Sequence, residues 1–319
     1  MPNQPALAPE QAAAPITLTG AQSPTLPLVL AFPHSGDVYP PDFGFRDDLS
    51  FAEIDFPADR YVDELFGTAA RALGISTLRA NFPRAYVDVN RHQHDIDPDM
   101  LADPDGWYGR LQPTARIDGS TLFWSRAKGK PIYDRKLDLS EAKGRLATCF
   151  IPYHQALTRL VDETRRRFGT VCLLDCHSMT KFDSARRGGR IRPQIDIGTR
   201  HGECCDLAIA TRLATSFERL GYEVGMNKRF AGGEVTLRYG WPEIDQHALQ
   251  VELRRDLYMD EETRDRSGRF ARMQADCGEA LTDLARFLGQ RARPAAAAAA
   301  ADTTDDDDER HASEKREKA

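Results

Sequence analysis

The chain has 319 residues, of which 41% are hydrophobic and 29% are charged, as is ordinary for a soluble globular protein. It contains no apolar run of about 20 residues, so a membrane span is excluded. The formal net charge is −6, and the basic run at residues 186–192 has no interleaved aromatic residues. Nucleic-acid binding is therefore not expected.

The two ends of the chain have compositions typical of disorder. Residues 1–24 are rich in Ala, Pro and Gln, and they lack the basic segment and continuous apolar core of a signal peptide. Residues 292–319 contain poly-Ala and poly-Asp tracts. The six cysteines form no CxxC pair, which argues against a zinc ribbon or a disulfide framework. We predict a cytoplasmic protein with disordered tails and a single domain over residues 25–291.

Apolar periodicity predicts strands that alternate with helices along this domain. The predicted strands are residues 26–32, 75–78, 85–89, 171–175, 195–197, 222–226, 235–239 and 247–253. The predicted helices are residues 58–73, 141–168, 203–220 and 261–291, and residues 92–140 form a long loop. This alternation predicts an α/β fold whose sheet is covered by helices on both faces.

Polar side chains follow three of the predicted strands at the point where each strand ends. His34 follows the first strand, Asn90 and Arg91 follow the 85–89 strand, and His177 follows the 171–175 strand. In open α/β sheets, ligands bind outside the carboxyl ends of the strands. One interpretation is a shared site with His34 and His177 as metal ligands. The other is that each histidine is a hydrogen-bonded structural residue.

Three aspartates compete for the place of an acidic ligand beside these histidines. Asp37 lies in an HxxD spacing with His34, whereas Asp59 and Asp63 are spaced by one turn in the predicted 58–73 helix. Asp59 would lie in the first turn of that helix, where an acid also stabilises the helix dipole. The spacing alone leaves the three alternatives open.

A fourth acid, Glu252, lies inside an apolar strand, although charged residues are rarely buried unless they are paired. Alternation along the strand puts Gln250 and Glu252 on one face and Leu249 and Val251 on the other. The 250/252 face is either part of a functional site or the solvent face of an edge strand.

Several other kinds of site are not supported by the sequence. There is no HExxH motif, no GxSxG elbow, no Walker loop and no GxGxxG motif. Cys176 and Ser178 have only the adjacent His177, which cannot reach them in a catalytic triad. His154 is predicted to be structural, because it lies one step from the apolar face of the 141–168 helix, and His201 is a candidate for lining a site.

Taken together, these clusters resemble the N-formylglutamate amidohydrolase family. The matching segments are residues 33–36, 59–65, 82–91, 175–179, 196–199, 232–236, 239–240 and 247–261. Each segment is short, but their common order makes the combination specific, and the match runs from about residue 26 to residue 288. The resemblance implies a three-layer α/β/α fold with a mixed central sheet, like that of zinc carboxypeptidases.

The resemblance also implies roles for individual residues. His34, Asp59 and His177 would hold Zn²⁺, with Asp59 preferred over Asp37 and Asp63 because the family segment matches there. Glu252 would be the general base and Arg84 would stabilise the oxyanion. Asn90 and Arg91 would bind the substrate's α-carboxylate. Asp175 would support His177 from behind.

The implied reaction is hydrolysis of N-formyl-L-glutamate, a small-molecule substrate, to formate and L-glutamate, with a place in histidine degradation. The alternatives are the same chemistry on another N-acyl amino acid or short peptide, a non-catalytic amino-acid-binding protein, and an interaction protein that uses its charged tail. A glutamate side chain needs a second cationic pocket. The candidates for it are Arg186, Arg187, Arg190 and Arg192. Oligomeric state is not predicted.

Overall fold

A mixed β-sheet with helices on both faces forms the body of the protein. The computed structural model describes residues 14–20, 24–114, 119–183 and 189–292. The strands are β1 (Ile16–Thr19), β2 (Leu28–Phe32), β3 (Ser76–Ala80), β4 (Arg126–Ala127), β5 (Lys130–Pro131), β6 (Val171–Met179), β7 (Ile195–Gly198), β8 (Val224–Met226) and β9 (Gln246–Arg254). The α-helices are α1 (Phe51–Ile54), α2 (Val62–Leu73), α3 (Leu139–Arg145), α4 (Ile151–Phe168), α5 (Leu207–Arg219), α6 (Glu234–Tyr239) and α7 (Phe270–Arg291).

Seven strands form the central sheet in the order β1-β3-β2-β6-β9-β7-β8. The four strands β3, β2, β6 and β9 run parallel, whereas β1 is antiparallel to β3 and β7 is antiparallel to β9. Strands β4 and β5 form a separate two-stranded sheet. The central strands β6 and β9 are buried along their whole length.

Two hydrophobic cores lie on opposite faces of the sheet, as expected for a three-layer fold. The core on one face packs the sheet against α2, α5 and α7, and the core on the other face includes α4, α6 and much of the segment between β3 and α3. The predicted three-layer α/β/α fold with a mixed central sheet is confirmed.

One face of the sheet changes from apolar to polar along β6 and β9. Val171 and Leu173 on β6 lie in the core beside α4, and Ala248 on β9 joins the same core. Farther along the same face, Asp175 is opposite Gln250 and His177 is opposite Glu252. Because parallel strands end at the same edge of a sheet, four polar side chains are collected at its carboxyl edge.

Several predicted elements differ from the structure. The prediction of a disordered tail over residues 1–24 is wrong for residues 16–19, because they pair with β3 as the edge strand β1. Residues 1–13, 21–23 and 293–319 lie outside the described residues. The predicted 235–239 strand is the helix α6, and residues 85–89 form turns rather than a strand.

The predicted helices end within one residue of the observed ones, but the 261–291 helix begins only at Phe270. Two further differences are informative. The 141–168 helix is interrupted by a π-helical turn, Leu146–Phe150, between α3 and α4. Helix α2 begins at Val62, after Tyr61 in a left-handed conformation with φ 70°, so Asp59 precedes the helix instead of lying in its first turn.

Among the helices of the described residues, none has the length and apolar character needed to cross a membrane.

Candidate metal centre and active site

His34 and Asp59 are brought together by the backbone. Asp59 N–H donates to the carbonyl of His34 at 2.9 Å, and Ser35 Oγ donates to the carbonyl of Asp59 at 3.0 Å. The loop after β2 also passes very close to the segment after β3. A Cβ on Gly36 would lie only 2.1 Å from the carbonyl oxygen of Phe82. Only glycine allows this approach, which places His34 over the carboxyl edge of the sheet.

The side chains of His34, Asp59 and His177 converge on one buried point. Asp59 Oδ2 is 3.3 Å from His34 Nδ1 and 3.0 Å from His177 Nδ1. One potential ligand atom from each residue lies within 4.8 Å of the others, and all three residues are buried. Two imidazole nitrogens and one carboxylate oxygen are a donor set that zinc accepts, and three protein ligands are the number typical of a catalytic zinc site. The three residues therefore fit a metal ion.

A carboxylate stands behind each histidine of this group. Asp88 Oδ1 is 2.7 Å from His34 Nε2, and Asp175 Oδ2 is 2.8 Å from His177 Nε2. Metal-binding histidines usually have such a partner on the second ring nitrogen, which fixes the tautomer and the orientation of the ring. Asp175 was expected in this position. Asp88 was missed, although an acid inside the apolar run at residues 85–89 is the same signal that singled out Glu252.

The second oxygen of Asp59 is held by two other groups. Ser178 Oγ donates to Asp59 Oδ1 at 2.8 Å, and the buried Arg255 donates to it from Nη2 at 3.2 Å. Arg255 also donates to Ser178 Oγ at 3.0 Å and to the carbonyl of Phe56 at 3.0 Å. Burial alone would raise the pKa of the Asp59 carboxyl, but hydrogen bonds with His177 and His34 hold it well below its ordinary range. Asp59 is thus a fixed, charged carboxylate.

Arg255 was missed in the sequence, although it directly follows β9. A polar residue just after a strand is the signal that singled out His34 and His177, and it applied to Arg255 as well.

The two alternative acids lie elsewhere. Asp37 is exposed and pairs with Arg79 at 2.7 Å, and Asp63 pairs with the same arginine at 2.9 Å. The structure therefore brings Asp59, and not Asp37 or Asp63, to the two histidines.

Glu252 lies across the strand pair from His177. Strand β9 has β6 on one side and β7 on the other, so the edge-strand interpretation of Glu252 is wrong. Gln250 Nε2 donates to Glu252 Oε1 at 2.6 Å, whereas Oε2 is buried and has no hydrogen-bond partner among the described residues. Burial raises the pKa of Glu252 to about 7, although the positive charges around it, including that of Arg84, act to lower it. This places the carboxyl in the range where it can exchange a proton near neutrality.

Arg84 forms an ion pair with Asp88, the acid that also contacts His34. Its Nε and Nη2 donate to Asp88 Oδ2 at 3.2 and 2.8 Å, and its guanidinium lies 4.9 Å from the ring centre of Trp124. Trp124 Nε1 donates to the same Oδ2 at 3.0 Å. Burial would raise the pKa of Asp88, but the charges of Arg84 and His34 hold it well below its ordinary range.

Asn90 lies on the far side of His177 from Asp59. Its Nδ2 is 3.2 Å from His177 Nε2 and donates a hydrogen bond to Asp175 Oδ2 at 3.4 Å. Its Oδ1 accepts a hydrogen bond of 2.8 Å from the N–H of Val235, in the first turn of α6. A Cβ on Gly233 would lie 2.4 Å from that Oδ1. Glycine before α6 therefore lets the helix start close to Asn90.

Arg91 follows Asn90 and is anchored by main-chain carbonyls. Its Nε donates to the carbonyl of Ser120 at 2.8 Å and its Nη1 to the carbonyl of Asn90 at 2.8 Å.

The remaining predicted candidates are distributed around the site. His154 is buried between the Tyr239 hydroxyl at 3.1 Å and the Val89 carbonyl at 3.0 Å, as predicted for a structural residue. His201 is exposed in a short 3₁₀ turn. Arg190 is exposed and Arg192 is half-buried. Arg186 and Arg187 lie outside the described residues.

An α/β sheet that collects two histidines, a shared carboxylate and a buried glutamate at its carboxyl edge defines a candidate hydrolase site, in which three residues could hold a metal ion. The model of the N-formylglutamate amidohydrolase family matches residues 26–259. The chain belongs to this family, and the predicted resemblance is confirmed.

Two curated relatives and two solved structures are similar to the chain. N-formylglutamate deformylase of Pseudomonas aeruginosa is 33% identical over 243 residues, which cover 74% of this chain and 84% of that protein. The deformylase of Pseudomonas putida is 33% identical over 240 residues, covering 74% and 83%. The crystal structure of N-formylglutamate amidohydrolase from Ralstonia eutropha JMP134 has a TM-score of 0.80 at 35% identity, covering 86% of this chain and 98% of that one. A gene product of Agrobacterium tumefaciens, Atu2144, shares the fold, with a TM-score of 0.58 at 18% identity, covering 84% and 95%.

Proposed function

We propose that this protein hydrolyses the formyl amide bond of N-formyl-L-glutamate, releasing formate and L-glutamate. The proposal is supported above all by one observation, the convergence of His34, Asp59 and His177 on a buried point directly across a strand pair from Glu252. Two relatives that are named N-formylglutamate deformylase support the choice of substrate.

His34, Asp59 and His177 are the residues that would hold zinc. When bound, zinc supplies Lewis-acid polarisation of a carbonyl and activation of water near neutral pH. Asp88 and Asp175 keep the outer nitrogens of the two histidines occupied, so both Nδ1 atoms face Asp59 Oδ2. Arg255 and Ser178 keep the other oxygen of Asp59 turned away from this point.

Glu252 is proposed to be the general base. It accepts a proton from the water that attacks the formyl carbon, and it delivers that proton to the amide nitrogen as the C–N bond breaks. Its pKa of about 7 suits both halves of this transfer, since the carboxyl must first accept a proton and then give it up. Oε2, which has no hydrogen-bond partner within the described residues, is the atom that carries the proton in this proposal.

The positive and amide side chains bind and orient the substrate. Arg84 stabilises the negative charge that develops on the formyl oxygen, and the ion pair with Asp88 holds the guanidinium in place. Arg91 and Asn90 bind the α-carboxylate, for which the planar guanidinium is well suited. A small-molecule substrate and a cytoplasmic location complete the proposal. The six buried, unpaired cysteines support that location, because disulfides are rare in the cytosol.

Formate release from N-formyl-L-glutamate, together with metal analysis of the purified protein, tests this proposal. We expect about one zinc per chain, turnover that is lost with a chelator, and recovery when zinc is added. Turnover of an N-acetyl amino acid without formate release would favour the alternative substrate. The absence of both metal and chelator sensitivity would refute the metal-dependent mechanism.

A further inference from the structure

Arg192 and Arg229 are two arginines of the described chain that have no acidic partner in ion-pair contact. Among the described residues, neither Arg192 nor Arg229 has a carboxylate oxygen within 4.0 Å of its guanidinium, whereas most other arginines around the site do. Burial and the charge of Arg229 lower the pKa of Arg192, and the charge of Glu252 acts to raise it. Arg192 is therefore near both Arg229 and the proposed base.

Arg192 is held at the carboxyl ends of β6 and β9. Its Nη1 donates to the carbonyl of Thr180 at 3.0 Å and to Thr180 Oγ1 at 2.8 Å, just after β6 ends. Its own carbonyl accepts from Arg254 Nη1 at 2.8 Å, at the end of β9. The guanidinium lies 5.3 Å from the ring centre of Phe230, and its Nε is buried with no hydrogen-bond partner in the described part of the chain.

Arg229 is placed by a buried acid on the neighbouring strand. Asp196 on β7 is directly opposite Glu252 in the sheet. Its carboxylate accepts backbone N–H bonds from Arg229 at 2.7 Å, Phe230 at 3.1 Å and Lys228 at 3.2 Å. These hydrogen bonds hold the loop that carries Arg229 next to β7. Strand β7 neighbours β9, which carries Glu252, on the side away from β6 and His177.

Glu252 on β9 lies between Asn90, which contacts His177 on β6, and the Arg229 loop, which is bonded to Asp196 on β7. The sheet edge presents His177, Glu252 and Asp196 in neighbouring strands, which lie about 5 Å apart. Guanidinium groups without an acid partner, such as the half-buried Arg192 and the exposed Arg229, suit the binding of a small carboxylate, because little of their charge is already neutralised.

We propose that Arg192 and Arg229 bind the side-chain carboxylate of the substrate and so select acidic N-formyl amino acids over neutral ones. This inference rests on the proposed function, because it concerns the substrate of the same site. It assigns the half-buried Arg192, rather than the exposed Arg190, as the main contact.

The test compares N-formyl-L-glutamate with N-formyl-L-glutamine, which has a similar shape but no side-chain charge. We expect Arg192→Gln to lower kcat/KM for the glutamate substrate by roughly tenfold to a hundredfold, the effect of one lost charged hydrogen-bond pair, and to change it little for the glutamine substrate. Arg229→Gln should cause a smaller loss with the same selectivity, and Arg192→Lys should retain part of the preference. Arg190→Gln is the matched control and should change neither substrate.

An equal loss on both substrates would overturn the inference, since it would give Arg192 a structural role. The paired site would be overturned if Arg192→Gln kept the wild-type preference for the glutamate substrate. It would also be overturned if Arg192→Gln lost this preference but Arg229→Gln did not. Either result would leave the deformylase proposal intact.

Calorimetry with L-glutamate and L-glutamine separates the two proposals. If the wild-type protein releases no formate from either substrate, the proposed function fails. Tighter binding of L-glutamate than of L-glutamine, lost in Arg192→Gln, would then still support the subsite, and equal binding of the two would overturn it.

Discussion

Asp88 is the acceptor for five donors, and its replacement by asparagine should destabilise the protein strongly. Oδ1 accepts from His34 Nε2 and from the N–H of Asn90, and Oδ2 accepts from two nitrogens of Arg84 and from Trp124 Nε1. An asparagine keeps only one of these oxygens. Whichever way its amide is turned, at least two donors face an NH₂ group instead of an acceptor.

The size of the effect follows from this count. A hydrogen bond that involves a charged group contributes about 1.5–3 kcal/mol, so the loss of two predicts about 3–6 kcal/mol in the free energy of unfolding. For a protein of this size each kcal/mol corresponds to a shift in Tm of about 2–4 °C, so a decrease of roughly 6–24 °C is expected for Asp88→Asn.

The assay is urea unfolding and thermal melting of protein that has been dialysed against a chelator, so that metal binding does not enter the comparison. Asp37→Asn is the matched control, because Asp37 is exposed and makes one ion pair, with Arg79 at 2.7 Å. An exposed pair of this kind contributes about 0–1 kcal/mol. If the two variants unfold at the same urea concentration, the account of Asp88 as the common anchor of His34 and Arg84 is wrong.

Three further predictions concern the site itself. Glu252→Gln should retain zinc but lose kcat by about 100-fold or more, as the removal of a general base does, and a variant with unchanged formate release would exclude this role. Arg91→Ala should raise KM for N-formyl-L-glutamate far more than it lowers kcat, and steady-state kinetics that show an unchanged KM would contradict the carboxylate contact. Gly233→Ala should lower Tm, because its Cβ would lie 2.4 Å from Asn90 Oδ1. Gly268→Ala is the control and should not lower Tm, because no atom lies within 4 Å of its Cβ. Equal melting curves of the two variants would refute this prediction.

Most of what could be predicted about the site came from polar residues that follow predicted strands. His34 and His177 were singled out because each follows an apolar strand, and the structure places both at the carboxyl edge of the sheet. The choice among Asp37, Asp59 and Asp63 could not be made from spacing, since it depends on the hydrogen bond between Asp59 N–H and the carbonyl of His34. That contact joins two turns and leaves no periodic pattern.

The supporting residues were harder to predict because their partners are distant in sequence. Asp88 reaches His34 across 54 positions, and Arg255 reaches Asp59 across 196. No local signal encodes such a pairing, although the presence of an acid or an arginine beside a buried strand end indicates that a partner exists.

Helix α6 shows how tertiary contacts decide between two local structures. Val235, Thr236 and Tyr239 are residue types that favour strands, so the segment was predicted to be a strand. In the structure Asn90 Oδ1 accepts from Val235 N–H, and Gly233 permits the close approach. The N–H of Val235 is thereby satisfied in the first turn of the helix, where it has no intrahelical acceptor.

The way Asp196 holds residues 228–230 has a consequence for protein engineering. In the described part of the chain the carboxylate binds this loop through backbone N–H groups, which every residue except proline possesses. These three hydrogen bonds therefore do not depend on the side chains, and Lys228 and Arg229 are exposed, whereas Phe230 packs against Arg192. A library of substitutions at positions 228 and 229 that omits proline should yield folded proteins with altered substrate preference, because at these positions the backbone holds the loop and the side chain faces solvent.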